Sequence, residues 1–593
     1  MRQENANDIY IFFDQFVDEF LLTGNSILTN DNGILTKATI QNCITNYVEN
    51  YKEGGDSFGE KVADQFKISD LPTRLVFAHA EWLWAFAVDD ITVKTKKEQT
   101  KRTTKIDDDS KLKPAFPVGF GSAGMYHKNN KYDEIKFNLL LIQFLKDKID
   151  TKEINTSEQV KSWIEKVCLY QKYEQEFKEY PIPEELVDKI PSRKLAMCNI
   201  LCHVAFPDKY ERIASDNHKW QILNSFSGLL TNEQKENDSL NIDEKILIIR
   251  NELAELTYPE FDFYEDDFAQ VWNYSLTEEG FSEVQGLRYK KAIILYGPPG
   301  TSKTHSAKRL ANALITNTYL SKKENVIKYF KEEEDFINGR IHHLQLHPNY
   351  TYEDFIAGIQ LKDHATEVVK GKLFLICEAA LTDKADNQID DMPHVLILDE
   401  INRIDLSRLF GEVFSALENR DESIEIGIGN LSLSIPRNLY VIGTMNEIDF
   451  SLERIDFALR RRFLWFFYGF DRSILEAIFW EKDKQQKTKL KEEEAERFFS
   501  NTSALNKAIT EMPELGEQYQ IGHTFFSEIV NIYKHYKELN GYTRLQKQLY
   551  RNQGPAQILW EISIAPILKA FLGNMDKAAR DEKIAELSKI YNS

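Results

Sequence analysis

The sequence predicts a multidomain protein built around a parallel α/β sheet covered by helices, closed by an α-helical lid and preceded by a separate mixed domain. Three observations carry that reading. The apolar run Ala292-Ile-Ile-Leu-Tyr296 enters a glycine-turned loop, Gly297-Pro-Pro-Gly-Thr-Ser-Lys-Thr304, and the stretch Thr304 to Leu320 that follows has helical character. Beyond it, nearly continuous apolar runs alternate with helical segments, the pattern of parallel strands buried on both faces. One of those runs, His394-Val-Leu-Ile-Leu-Asp399, ends in acid.

The bulk composition fits. At 593 residues the chain is too long for one core and points to about three or four domains. Hydrophobic residues make up 42% and charged residues 28%, ordinary for a soluble globular protein. A net charge of −20 argues against indiscriminate nucleic-acid binding but leaves room for a local basic groove. No stretch approaches a membrane span, and the first residues lack the layout of a signal peptide. Five scattered cysteines are too few for a disulfide framework, so a reducing cytoplasm is expected.

In chain order, Ile9 to Leu22 has helical spacing, with Phe12, Phe13, Phe16, Val17, Phe20 and Leu21 forming a core stripe. Glu81 to Val88 is a second buried helix candidate. The densest basic run, Lys94 to Lys105, is a solvated loop or a DNA-contacting one. Phe116 to Gly124 is glycine-rich, a turn or a pocket border. Glu134-Ile-Lys136 has the acid-x-Lys form of some nucleases, but a paired acid at a strand end is not visible. Cys198 and Cys202, with His203 beside them, lack a second ligand pair at zinc spacing and read as buried helix thiols. Thr231 to Ser239 is a polar linker candidate, and Ile242 to Tyr274 would connect onward.

The loop of Gly297, Pro298, Pro299, Gly300, Thr301, Ser302, Lys303 and Thr304 has the layout of a phosphate-binding P-loop, with Ser302 where a second glycine is usual. Its backbone N–H groups would face polyphosphate, Lys303 would reach the β- and γ-phosphates, and Thr304 would offer its hydroxyl to Mg²⁺. The following helix presents its positive end to the anion. Further strands are expected at Ile341–Leu346, His394–Asp399, Asn438–Met445 and Arg462–Tyr468, with a helix at Leu406–Leu417. Asp399 at a strand end would hold Mg²⁺, and Glu400 would polarise the attacking water. Ser423 to Ile435 alternates around a Gly-Asn turn and reads as a hairpin, a candidate for the pore of a ring. Asn446, at the tip of the next strand, would orient water beside the γ-phosphate. Arg460, Arg461 and Arg462 suit a finger acting in trans, or equally a solvated helix end. After Tyr468 the chain turns helical and charged, the expected lid; His523 and Lys569 either reach the site from it or, for a lone His next to aromatics, serve as core or capping groups.

Taken together, Gly297–Thr304, Leu398–Arg403, Phe410–Val413, Gly443–Asn446 with Asp449, and Ala458–Phe463 resemble the McrB family, the AAA+ GTPase motors of modified-DNA restriction systems. His347–Ile356 and Ile521–Phe526 are similar to segments of that family too, and the resemblance covers roughly Lys290 to Leu572. It implies a nucleotide-dependent homo-oligomeric ring, typically hexameric, that hydrolyses GTP, translocates DNA and drives a separate McrC-like nuclease. It assigns Asn446 and Asp449 to a sensor role and Arg403, with the arginines at 460 to 462, to action across a subunit boundary. GTP against ATP stays open on the residues themselves. The domain plan is a recognition domain over 1–230, connecting helices over 231–280, the AAA+ core over 281–470 and the lid over 471–593. By analogy with the family, the first domain would read DNA. A MoxR-like ATP-driven chaperone is the second reading, and a self-sufficient nuclease–ATPase a weaker third.

Overall fold

The computed structural model describes the chain except residues 1–6, 51–57, 90, 122–123, 174–193, 273–282, 333–335, 338, 363–364, 387–391, 449–456, 541–547 and 552. Two compact units result, Met1–Asn273 with Ser321–Glu332, and Tyr274–Leu320 with Glu333–Ser593. Among the described residues no helix is long and apolar enough to cross a membrane.

The described residues of the first unit form helices, with one isolated parallel bridge between Val88 and Gly121. The helix expected over Glu81–Val88 starts earlier and ends sooner, spanning the fifteen residues Leu71–Ala85 as a core helix, with Phe86–Val88 beyond its end. Of the expected stripe Phe13, Phe16, Val17, Phe20 and Leu21 are buried and Phe12 is half-buried; Phe13 and Phe16 stack toward Trp82 and Phe86 with ring centroids 4.5 to 6.3 Å apart. The polar linker candidate is itself helical over Asn232–Glu236, started by a capping box between Thr231 and Gln234. Helix Lys323–Glu332 belongs to this unit, with Lys323 Nζ 2.5 Å from Glu252 and Phe330 stacked on Phe268.

The basic run lies on a helix, Val93–Thr104, not on a loop. Its cations are largely engaged inside the unit. Lys96 is buried and donates to the carbonyls of Phe86 and Pro117, Arg102 pairs with buried Glu81 at 3.0 Å, and Lys101 pairs with Asp109. Glu134 is likewise internal: it sits on helix Lys131–Asp150 against the His127 ring and accepts from Trp84 Nε1 at 3.1 Å. The acid of the Glu-x-Lys triplet is thus enclosed in a helical core and does not stand at a strand end. Cys198 and Cys202 are buried thiols on helix Ala196–Ala205, and burial pushes the Cys198 thiol up.

The described residues of the second unit hold nine strands: β1 (Ala292–Gly297), β2 (Ile341–Gln345), β3 (Ala357–Lys362), β4 (Ala365–Lys370), β5 (His394–Asp399), β6 (Ser423–Glu425), β7 (Ser432–Ser434), β8 (Leu439–Asn446) and β9 (Leu464–Phe467). Five of them make one sheet in the order β2-β5-β8-β1-β9, every neighbour parallel. All six residues of β5 are buried, which is why the run is apolar throughout. Because every strand points the same way, one edge of the sheet collects Gly297, Asp399 and Asn446. In open α/β sheets that carboxyl edge is where ligands bind.

Two hairpins stand apart from the sheet. β6 and β7 form the one expected around the Gly-Asn turn. β3 and β4 form a second that the sequence reading missed, and its Val368 side chain lies against Gly429 in the turn of the first. The segment Leu406–Leu417 is helical in two pieces, broken at Gly411, whose φ of 52° and closeness to the Tyr352 ring exclude a side chain. From Arg472 onward the described residues are helical around a core of their own.

Candidate active site

The loop between β1 and helix Lys303–Tyr319 turns through three left-handed backbone positions: Gly297 at φ 144°, Gly300 at 76° and Ser302 at 63°. The last explains why glycine is usual there. An L-residue in that region is strained, and strain of this kind collects at functional loops. Lys303 is buried, and its Nζ donates to the carbonyls of Gly297 at 3.1 Å and Pro298 at 2.6 Å. Burial lowers its pKa to about 8, against the opposing pull of Asp399 and Glu447.

Across from the loop, Asp399 ends β5. Its Oδ1 accepts the Thr304 hydroxyl at 2.9 Å, so the P-loop threonine and the strand-end aspartate, ninety-five residues apart, meet directly. Asp399 Oδ1 also accepts the hydroxyl of Thr444. The parallel register produces this contact: Leu398 pairs with Gly443, which sets Asp399 level with Thr444. Thr444 Oγ1 in turn accepts the Glu400 amide at 3.3 Å. One hydroxyl therefore fixes both acids, and the sequence reading passed over it although it lies inside Gly443–Asn446. His343 of β2 stands 3.6 Å from the other Asp399 oxygen.

Glu400 leaves the strand with φ 58°, a second left-handed non-glycine position. That turn aims its carboxylate off the sheet edge, where Arg403 Nε pairs with it within the same chain. Asn446 sits beside Gly297 in the β1–β8 register, and its carbonyl is held by Asn402 Nδ2 at 2.7 Å. Asp449 lies outside the described residues. The three clustered arginines differ in environment. Arg460 is exposed, 5.5 Å from the Trp465 ring. Arg461 has a side chain 68% exposed, 3.5 Å from Glu418. Arg462 is turned inward, 8% exposed, against Glu418 and 4.3 Å from the Phe414 ring. Its burial leaves only the first two facing outward.

The helical region touches the loop from above through Gly522–Thr524. Thr524 donates both its backbone N–H, at 3.1 Å, and its hydroxyl, at 3.0 Å, to the Gly300 carbonyl. His523 is fully buried beside Phe470, and its Nδ1 accepts from the Asp471 amide at 3.5 Å. Burial holds it below the ordinary imidazole range, so it is a neutral core histidine. Lys569 is exposed on helix Ala565–Phe571. The family-like segments are also tied together: Tyr352 donates its hydroxyl to Glu412 at 2.8 Å, and Glu412 accepts the Gly427 amide of the β6–β7 turn at 3.2 Å.

Thr304 and Asp399 supply hard oxygen donors side by side at the mouth of a phosphate loop, the donor set that suits Mg²⁺. A glycine loop with a buried lysine, a helix amino end and a strand-end Asp-Glu pair on a five-stranded parallel sheet define a P-loop nucleoside triphosphate hydrolase domain. Residues 292–463 match the family described as AAA domain (dynein-related subfamily). The chain is McrB-like over 250 residues. There it is 32% identical to the "Type IV methyl-directed restriction enzyme EcoKMcrB subunit" of Escherichia coli (strain K12), a match covering 40% of this chain and 48% of that relative. The chain thus spans about half the length of the curated relative it matches. Among solved structures, a candidate ATPase of Cytophaga hutchinsonii is 14% identical over 55% of this chain and 95% of its own, with a TM-score of 0.23. NtrX of Brucella abortus is 13% identical over 52% and 69%, with a TM-score of 0.26. Likeness that shallow carries no argument about function.

Proposed function

We propose that the protein is a ring-forming AAA+ motor that hydrolyses GTP and drives a partner nuclease against DNA in a McrBC-like defence system. The observation that carries this reading is the junction of Thr304, Asp399 and Thr444 with Glu400 beside it. In that mechanism the loop amides and Lys303 bind the β- and γ-phosphates and orient the terminal one at the sheet edge. Mg²⁺, held by Thr304 and Asp399, would neutralise phosphate charge. Glu400 takes the proton of the attacking water, and Asn446 orients that water from the neighbouring strand. Thr444 keeps the two acids in register. Arg460 and Arg461, the outward arginines, reach a neighbouring subunit's site, and Arg403 joins them on release from Glu400. The β6–β7 hairpin is offered to the ring's pore. GTP, the hexamer, the McrC-like nuclease and DNA contact through residues 1–230 follow from the McrB likeness.

The test is steady-state hydrolysis of GTP and ATP, with and without DNA, by the wild type and Glu400→Gln. We expect GTP to be preferred, and the variant to keep nucleotide binding while turnover falls by roughly 10²- to 10⁴-fold, the contribution of a positioned base. Equal turnover in the two proteins would sink the assignment. A second reading, an ATP-driven remodeller of a protein client, is favoured by one observation: the basic helix Val93–Thr104 has most of its charge engaged internally. ATP preference with no response to DNA would select it.

A further inference from the structure

A cavity of about 540 Å³ opens beside the P-loop. That volume falls in the range of small-molecule sites. Its floor is the P-loop helix itself: Ser306, Arg309 and Leu310 share one face at i, i+3 and i+4. At 1.5 Å per residue they lie roughly 4–10 Å along the axis from Lys303. Its near wall is Tyr468, whose carbonyl approaches the first loop glycine so closely that a Cβ built on Gly297 would stand 2.5 Å from it. A triphosphate seated in the loop would therefore carry its nucleoside into this cavity.

The polar groups lining it are not equally available. Asp471 Oδ1 caps helix Arg472–Gln486 through the amides of Ser473 and Ile474. Gln520 accepts from the Phe470 amide at 2.8 Å and donates to Thr510 at 3.1 Å. Glu283, half-buried at the start of helix Glu283–Lys290, accepts only the Tyr468 hydroxyl, at 3.0 Å, among the hydrogen bonds of the described residues. A carboxylate offers about four acceptor positions, so Glu283 keeps capacity for a ligand. Arg309 also lines the cavity but is already engaged.

Purines differ in what they present to such a carboxylate. Guanine carries two adjacent donors, N1–H and N2–H₂, and acceptors at O6 and N7. Adenine has a single amine beside an N1 lone pair that a carboxylate repels. We propose that this cavity receives the base and that Glu283 determines specificity, its carboxylate accepting from guanine N1–H and N2–H₂. This rests on the reading of the loop as a nucleoside triphosphate site.

The experiment measures the affinities of full-length protein for GTP, ATP and xanthosine triphosphate, by competition against a ribose-labelled fluorescent triphosphate. Xanthine replaces the guanine N2 amine with a carbonyl, so Glu283→Gln presents the complementary donor to it. We expect Glu283→Gln to weaken GTP by roughly five- to 150-fold, the worth of one bidentate base contact. It should tighten xanthosine triphosphate and change ATP little. Glu283→Ala should lose the GTP preference, keep ATP binding and gain nothing for xanthine, which separates base recognition from a folding defect. A wild type that prefers ATP, or a Glu283→Gln protein whose GTP-to-ATP ratio is unchanged, overturns the assignment while leaving the hydrolase reading intact. A wild type that binds no triphosphate overturns both.

Discussion

Gly522→Ala tests how the helical lid is joined to the P-loop. A Cβ at Gly522 would stand 2.2 Å from the Gly300 carbonyl carbon, 2.3 Å from its oxygen and 2.5 Å from the Pro299 oxygen. These are backbone atoms with no rotamer to escape into. Comfortable carbon contacts begin near ~3.5 Å, so the two segments must separate by roughly 1 Å. Both Thr524 bonds to Gly300, at 3.1 and 3.0 Å, then pass out of hydrogen-bond range. Each is worth about 0.5–1.5 kcal/mol net, and overpacking by itself costs about 1–3 kcal/mol. The terms overlap, since separation relieves the clash by breaking the bonds, so the expected loss is about 2–4 kcal/mol. Gly522 has no left-handed φ, so the effect is steric alone. Thermal unfolding and triphosphate affinity should both fall. Thr524→Val, which removes one donor without a clash, should cost about 1 kcal/mol by the same hydrogen-bond arithmetic. A Gly522→Ala protein as stable and as tight-binding as the wild type would refute the direct backbone contact between lid and loop.

Ser302→Gly should be neutral to stabilising, because relief of left-handed strain of about 1–2 kcal/mol exceeds the added unfolded-state entropy of about 0.4–1 kcal/mol. A clear drop in melting temperature would show that Ser302 is not strained. Lys303 gives a pH signature. Its folded pKa, about 8, lies below its ordinary 10.5, so between those values the unfolded chain holds the proton that the native protein has shed, and this group's contribution to stability rises with pH there. Triphosphate affinity runs the other way: at pH 9 only about a tenth of free sites carry the ammonium, so apparent affinity should drop roughly tenfold from pH 7. A flat affinity profile would mean the lysine stays charged. Arg460→Ala and Arg461→Ala should lose turnover roughly a thousandfold while melting normally, with partial recovery on mixing with Lys303→Ala subunits. Arg462→Ala should instead lose about 0.5–3 kcal/mol of stability, since it removes a buried partner of Glu418. The opposite split between turnover and stability would reverse the assignment.

All five sheet strands were legible to within two residues, and His394–Asp399 to the residue, because a central parallel strand is buried on both faces and has to be written as an unbroken apolar run. The β3–β4 hairpin was not. Ile359 and Leu361 are 60% and 78% exposed, so nothing in their surroundings imposes a pattern the sequence could carry. The P-loop and the Asp-Glu pair were legible because their chemistry is local. Thr444 was not, since its place between Asp399 and Glu400 depends on strand register. The basic run was misleading for a related reason. A lysine engaged by Asp109 or by a buried carbonyl has the same letter as one facing water, and its partners are settled only by folding.

The same distinction orders the site itself. Its charged members are placed by the sheet edge, but its closure is set by residues without side chains. Gly300 φ is 76°, and a Cβ there would meet Thr524 Oγ1 at 2.6 Å and the Phe525 ring at 2.7 Å. Gly522 faces the reverse of the same contact. Lid and loop approach through two bare backbones, and a single carbonyl, Gly300 O, receives both lid donors. That carbonyl belongs to the turn whose amides would face phosphate. Any rotation of the Gly300 peptide as the loop takes up an anion therefore moves the acceptor on which the lid is hung. In the proposed mechanism Lys303 and Glu400 would act on the phosphate, while at Gly300 and Gly522 backbone contact leaves no room for a larger residue.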